Sequence, residues 1–82
     1  MSTKLFVGSL PWTVTDEKLK EAFQAHGNVV SAKVVTDRAT GRSRGFGFVE
    51  MENDNDANNA IKVLNGKEMS GRKLVVAAAK AS

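Results

Sequence analysis

Hydrophobic and polar positions along the chain change period several times, and each change marks an element. Lys4 to Ser9 alternates, with Lys4, Phe6 and Gly8 on one side and Leu5 and Val7 on the other, which is the pattern of a strand. Pro11 and Trp12 follow in a loop. Thr15 suits a helix N-cap, with Asp16 and Glu17 in the first turn. Val14 and Leu19 stand at the two positions of a hydrophobic staple, and Leu19, Ala22 and Phe23 share one helical face. Gly27 is expected to end this helix as its C′ residue. Val29 to Thr36 is β-branched and alternating, a second strand, and 37–43 is a polar loop with Gly41 as its turn residue.

Arg44 to Met51 forms the third strand, and its alternation is unusual. One face carries Arg44, Phe46, Phe48 and Glu50, and the other carries Gly45, Gly47, Val49 and Met51. Burial of Arg44 and Glu50 without partners would be costly, so the first face should be the wet one. Two large rings then stand at a solvent face, which usually marks a binding surface. The glycines on the other face should let a helix approach the sheet closely. Asn53 is the expected cap of a second helix, with Asp54 and Asp56 in its first turn, an apolar stripe of Ala57, Ala60, Ile61 and Leu64, and Gly66 as its stop. Asparagine-rich and poor in intrinsic propensity, this helix must be held by packing. Ser70-Gly71 is a turn, and Lys73 to Ala77 reads as a fourth strand, with Lys73, Val75 and Ala77 on one face.

The order βαββαβ points to an α+β fold, the ferredoxin-like split arrangement, with one four-stranded antiparallel sheet. Right-handed crossovers put both helices on one face, which leaves the other open. The first and third strands are then central neighbours, so Phe6 stands beside Phe46 and Phe48, ringed by Lys4, Lys33, Arg44 and Lys73.

Composition narrows what such a face can do. The chain has 82 residues, and residues 1–82 read as a single domain without linker or low-complexity tract. By the usual scaling its radius of gyration is about 12 Å, and it hides about 60% of its unfolded surface. That suffices for one modest core but not for an enclosed active-site cavity. There is no cysteine, so disulfides and thiolate metal sites are excluded, and a reducing, cytoplasmic setting is compatible (nuclear if the source is eukaryotic). No apolar run could span a membrane, and the N-terminus lacks the make-up of a signal peptide. His26 has no second ligand nearby, so neither metal nor cofactor is expected. The net charge of +3 is unevenly placed: 33–44 holds Lys33, Arg38, Arg42 and Arg44 against Asp37, while 50–56 is acidic. A basic stretch suits a polyanion, although charge alone more often marks a solvated surface.

With these residues in place the chain resembles the RNA-recognition motif family. Leu5-Phe6-Val7-Gly8-Ser9-Leu10 is similar to its RNP2 motif, and Arg44 to Met51 to its RNP1 motif, with Met51 where an aromatic is usual. By parity Met51 faces the core, so stacking on the other face survives the substitution. The resemblance covers essentially the whole chain and extends to small single-domain bacterial members and to the isolated domain of glycine-rich plant and animal relatives. It implies non-catalytic binding of single-stranded RNA by an expected monomer. Phe6 and Phe48 would each stack under a base, Phe46 would press on sugars, and Arg44 would pair with a phosphate. Lys4, Ser9, Lys33, Arg42, Lys73, Ala77 and Lys80 complete the expected RNA-binding set. Ser9 occupies a position where the family often has asparagine.

Several residues keep two readings. Trp12 either stacks on a nucleotide or packs over a helix end, the commoner fate of such a ring. Arg38 and Arg42 either clamp RNA or are simply solvated, and Lys80 is either a base contact or part of a frayed terminus. An acylphosphatase-like enzyme of the same topology would need an anion-cradling loop with an arginine after the first strand. Leu10-Pro11-Trp12-Thr13-Val14 offers neither a base nor a glycine run. Gly45-Phe46-Gly47 is no dinucleotide loop, because the third glycine is missing and it lies inside a strand. A protein-binding domain and a single-stranded DNA binder remain as alternatives, since stacking does not sense the 2′-OH.

Overall fold

The computed structural model describes residues 3–69 and 71–79. The elements are β1 (Thr3–Gly8), α1 (Asp16–Gln24), β2 (Val29–Thr36), β3 (Ser43–Met51), α2 (Asp54–Leu64), β4 (Glu68–Met69), β5 (Arg72–Lys73) and β6 (Val75–Ala78). A four-stranded antiparallel sheet has the order β2-β3-β1-β6, and β4 and β5 form a separate hairpin. This is the ferredoxin-like arrangement expected from the element order, with β1 and β3 central. The Cα radius of gyration is 11.9 Å, as the scaling for this chain length requires.

One face of the sheet and the inner stripes of the two helices make the core. Leu5 and Val7 from β1, Val34 from β2, Val49 and Met51 from β3, and Leu74 and Val76 meet Leu19 and Phe23 of α1 and Ala57, Ala60 and Leu64 of α2. Met51 is fully buried, as its parity predicts. Val14 and Leu19, the staple pair, are both in this cluster.

Local signals start the helices and partly end them. Thr15 caps α1, its side chain accepting from the Lys18 N–H at 3.3 Å. The helix closes at Ala25, and Gly27 lies two residues beyond that cap, one position later than a C′ glycine. Asn53 has the extended backbone of an N-cap, but its side chain makes no capping hydrogen bond. It donates instead to Asp56 Oδ2 at 3.4 Å. Gly66 follows the Asn65 cap with φ of 85°, the left-handed stop the sequence predicts. The Asn65 side chain accepts from the Val76 N–H at 3.1 Å, which ties the end of α2 to β6.

The last sheet strand departs from expectation. It runs Val75–Ala78 instead of Lys73 to Ala77, and Lys73 pairs with Glu68 in the hairpin. The reason lies in the backbone of Leu74: its N–H donates to Lys67 O at 2.9 Å and its carbonyl accepts from Gly66 at 2.7 Å. These bonds hold 72–74 to the segment after α2, so pairing with β1 starts only at Val75↔Gly8.

The two glycines of β3 do different jobs. A Cβ on Gly47 would lie 2.5 Å from Lys33 O and 3.1 Å from Val34 Cα in β2, and 3.2 Å from Leu19 Cδ2 of α1, so the missing side chain serves the close approach of the β2 backbone first and of α1 second. Gly45 meets nothing nearer than 3.8 Å. Its φ of 84° falls where the register jumps from Val34↔Gly47 to Thr36↔Ser43, so it serves a bulge and not a close approach. Gly47→Ala is therefore expected to lower the unfolding free energy by about 1–3 kcal/mol through overpacking, read as a fall in the urea midpoint.

Candidate nucleic-acid interface

Strand register assembles the open face. Lys33 is opposite Phe48, Phe48 opposite Phe6, and Phe6 opposite Ala77, which makes one row across all four strands. A second row, two residues along, runs Ser31, Glu50, Lys4. Paired residues share a face, so these rows lie together on the side away from the helices. Phe46 joins them from the next position of β3.

The three rings touch one another. Phe6 and Phe46 have centroids 5.8 Å apart at 34°, Phe6 and Phe48 are 6.0 Å apart at 66°, and Phe46 and Phe48 are 6.3 Å apart at 89°. These separations suit mutually attractive aromatic pairs. Each ring is half-buried by its neighbours and open on the outside. Gly8 belongs to the same surface, and a Cβ there would meet Phe6 Cε1 at 2.9 Å, so the ring lies over a residue without a side chain.

Cations surround the rings, although not all of those expected. Lys4, Lys33 and Arg44 are exposed on or beside the open face, and Ala77 is exposed at the end of the Phe6 row. Lys73 is exposed but belongs to the hairpin, outside the four-stranded sheet. Lys80 lies outside the described residues. Arg42 is exposed on the 37–42 loop, which is closed by Asp37 N–H to Arg42 O at 2.8 Å and Gly41 N–H to Asp37 O at 2.7 Å. Arg38, for which the sequence left an RNA clamp and a solvated side chain equally open, lines a groove with Lys33, Phe48, Glu50, Lys4 and Ser31. Ser31, Glu50 and Val75 also stand on this face, although the expected RNA-binding set leaves them out. The signal for each was present in strand parity, because Ser31 shares a side with Lys33, Glu50 with Phe48, and Val75 with Ala77.

The β1–α1 loop is pinned at the Ser43 end of β3. Ser9 takes φ of 57°, a left-handed conformation in which asparagine is favoured among non-glycine residues. That accounts for the family's frequent asparagine at this position in backbone terms. The Leu10 N–H donates to Gly45 O at 2.8 Å, and Arg72 Nη1 donates to Leu10 O at 3.3 Å. Trp12 is 64% exposed, which corrects the expectation that it packs over a helix end. With Leu10 held on both sides, the short turn Pro11 O to Val14 N–H at 3.2 Å leaves the indole no core to enter. Among the described residues no His, Asp and Glu grouping could hold a metal ion.

The RNA recognition motif family matches residues 5–75, and the chain belongs to that family. It is 55% identical over 76 residues to the Arabidopsis thaliana glycine-rich RNA-binding protein 4, mitochondrial, covering 93% of this chain and 56% of the relative. It is 52% identical over 71 residues to the Spinacia oleracea 28 kDa ribonucleoprotein, chloroplastic, covering 87% of this chain and 30% of the relative. The chain thus spans between about a quarter and just over half the length of the curated relatives it matches. Among solved structures it superposes on RNA binding protein PG1 with a TM-score of 0.94 at 51% identity, covering 98% of this chain and 96% of the other. It also superposes on the sex-lethal protein in its RNA complex, with a TM-score of 0.92 at 35% identity, covering 100% of this chain and 49% of the other. The names of the curated relatives place them in mitochondria and chloroplasts, so they lend no support to a cytoplasmic setting.

Trp12 is the only tryptophan, which makes its exposure directly observable. Its fluorescence is expected to show the red-shifted emission of a hydrated indole and quenching by acrylamide close to that of a free indole. Blue-shifted, protected emission would mean that the ring is packed.

Proposed function

We propose that the chain binds single-stranded RNA, without catalysis, on the open sheet face. The observation that carries this reading is the triad Phe6, Phe46 and Phe48 on the two central strands, uncovered and edged with cations. Single strands expose base π-faces, and each base stacked on an aromatic contributes about 1–3 kcal/mol. In this reading Phe6 and Phe48 each carry one base and Phe46 presses on the intervening sugars. Two stacked bases then contribute about 2–6 kcal/mol, and micromolar affinity needs about 8 kcal/mol. The remainder is assigned to phosphate contacts from Arg44, Lys4, Lys33 and Arg42, with Ser9, Ala77, Lys73 and Lys80 at the edges. The site accommodates about two to four nucleotides. The names of the relatives, and neighbouring structures that hold RNA, support the same ligand.

Residues 1–82 act in this reading as one domain and as a monomer. A hydrolase on the same topology is disfavoured by the β1–α1 loop, where Leu10, Pro11, Trp12, Thr13 and Val14 supply no anion cradle. Single-stranded DNA would stack equally well, so discrimination must come from hydrogen bonds to the 2′-OH.

A Phe46→Ala/Phe48→Ala variant is expected to remain folded by circular dichroism and to lose at least about tenfold in affinity for short RNA oligomers. Amide shifts on titration should centre on β1 and β3; shifts confined to the helices would sink the reading. If about four phosphates are neutralised, log K should fall with log salt at a slope of about −3, measured by fluorescence anisotropy. A flat salt response would remove the phosphate contribution.

A further inference from the structure

We infer that Trp12 is a further stacking site, carrying a nucleotide of the same RNA strand beyond the base on Phe6, an inference that rests on the RNA-binding reading above. A single exposed apolar side chain needs no explanation by itself, but the setting of this one points to a ligand. Trp12 occupies the second position of the turn closed by Pro11 O and the Val14 N–H. Pro11 and Val14 are both buried, so the turn is anchored at its two ends and Trp12 stands out at its corner. Leu10 ties the turn to the sheet, since its N–H donates to Gly45 O and its carbonyl accepts from Arg72. Two residues of chain span at most about 7 Å, so the Trp12 backbone stays within that distance of the Leu10 anchor. The anchor itself lies beside Gly45, the residue before Phe46.

Between Phe6 and this loop the open face is low and apolar. Gly8 follows Phe6 on the same side of β1 and pairs with Val75 of β6. Gly8 projects no side chain, and Val75 is 45% exposed. The same two segments meet again just beyond that pair, where Arg72 holds the Leu10 carbonyl. Trp12 therefore stands at the margin of a surface that begins at the Phe6 ring. A strand leaving Phe6 over Gly8 and Val75 reaches the indole next. Arg44, beside the anchoring Gly45, and Arg72 are exposed at this margin, and cations there favour a phosphate-bearing chain over a lipid or an apolar peptide. Stacking on an indole needs no hydrogen bond to the base edge, so the site accepts any base. Because the turn is anchored beforehand, little ordering of the backbone opposes the contact.

Trp12 is the only tryptophan, so its emission reports on the site directly. Random-sequence RNA hexamers are titrated against the unaltered chain, with binding read by anisotropy of a dye-labelled RNA and, using unlabelled RNA, by indole emission. The emission is expected to be quenched by the stacked base along the same saturation curve as the anisotropy. Trp12→Ala should stay folded by circular dichroism and bind the hexamers at least about fivefold more weakly. Trp12→Phe keeps a ring and should retain most of the affinity. Unchanged emission at saturation, or a Trp12→Ala variant with unaltered affinity, overturns the Trp12 inference and leaves the RNA-binding reading standing. A Trp12→Phe variant as weak as Trp12→Ala overturns it likewise, because stacking asks only for a ring. If no hexamer binds, both readings fall together.

Discussion

The pairing of β1 with β3 is the constraint on which the rest depends. Its register sets Leu5 against Val49 and Val7 against Gly47 on the core side, and Phe6 against Phe48 and Lys4 against Glu50 on the other. Because the side-chain period is two, a slip of one residue would exchange the faces of a whole strand. Leu5 and Val7 would then meet water while Lys4 and Phe6 pressed into the helices. The core and the aromatic surface are therefore specified by the same register, and neither can be altered alone. The two helices fix which face is which, since Leu19, Phe23, Ala57, Ala60 and Leu64 need an apolar sheet surface to cover them.

Most of this was legible because it rests on local periodicity. Alternation in 4–9 and 44–51 assigned the faces correctly, including the burial of Met51, and the helix stripes named the residues that fill the core. The departures have a common origin in backbone bonds between segments distant in sequence. Lys73 looked like strand because it alternates with Val75 and Ala77, yet the bonds of Leu74 to Lys67 and Gly66 hold that segment in a hairpin. Gly45 and Gly47 looked alike in sequence, and only the jump in β2–β3 register separates a bulge from a close approach. Trp12 followed a reasonable base rate for tryptophan beside a helix, but the loop is held from both sides and gives the ring nowhere to pack.

Charge follows the sheet's long direction. At the end where β3 begins stand Arg38, Arg42 and Arg44, with Trp12 and Arg72 on the adjoining loop and hairpin. At the opposite end the start of β1 is tied to α2 through Thr3 Oγ1, which donates to Asp54, and the first turn of α2 adds Asp56. These acids complement the helix dipole and repel phosphate. A polyanion on the open face is therefore drawn toward the loops and away from α2, independently of which bases it carries.

The loops at the basic end are placed by the same scaffold as the rings. Arg72 belongs to a hairpin that follows α2, yet its guanidinium holds the carbonyl of Leu10 in the loop after β1. Leu10 in turn bonds Gly45 at the bulge of β3, one residue before Phe46. Segments near residues 10, 45 and 72 thus meet at one edge of the aromatic surface. Movement of any one would be felt at Phe46 through no more than two hydrogen bonds. Side chains that read a base need positions as well defined as the platform beneath it. A sheet supplies that definition at its centre through paired strands, and here the bulge and the hairpin arginine extend it to the loop edge.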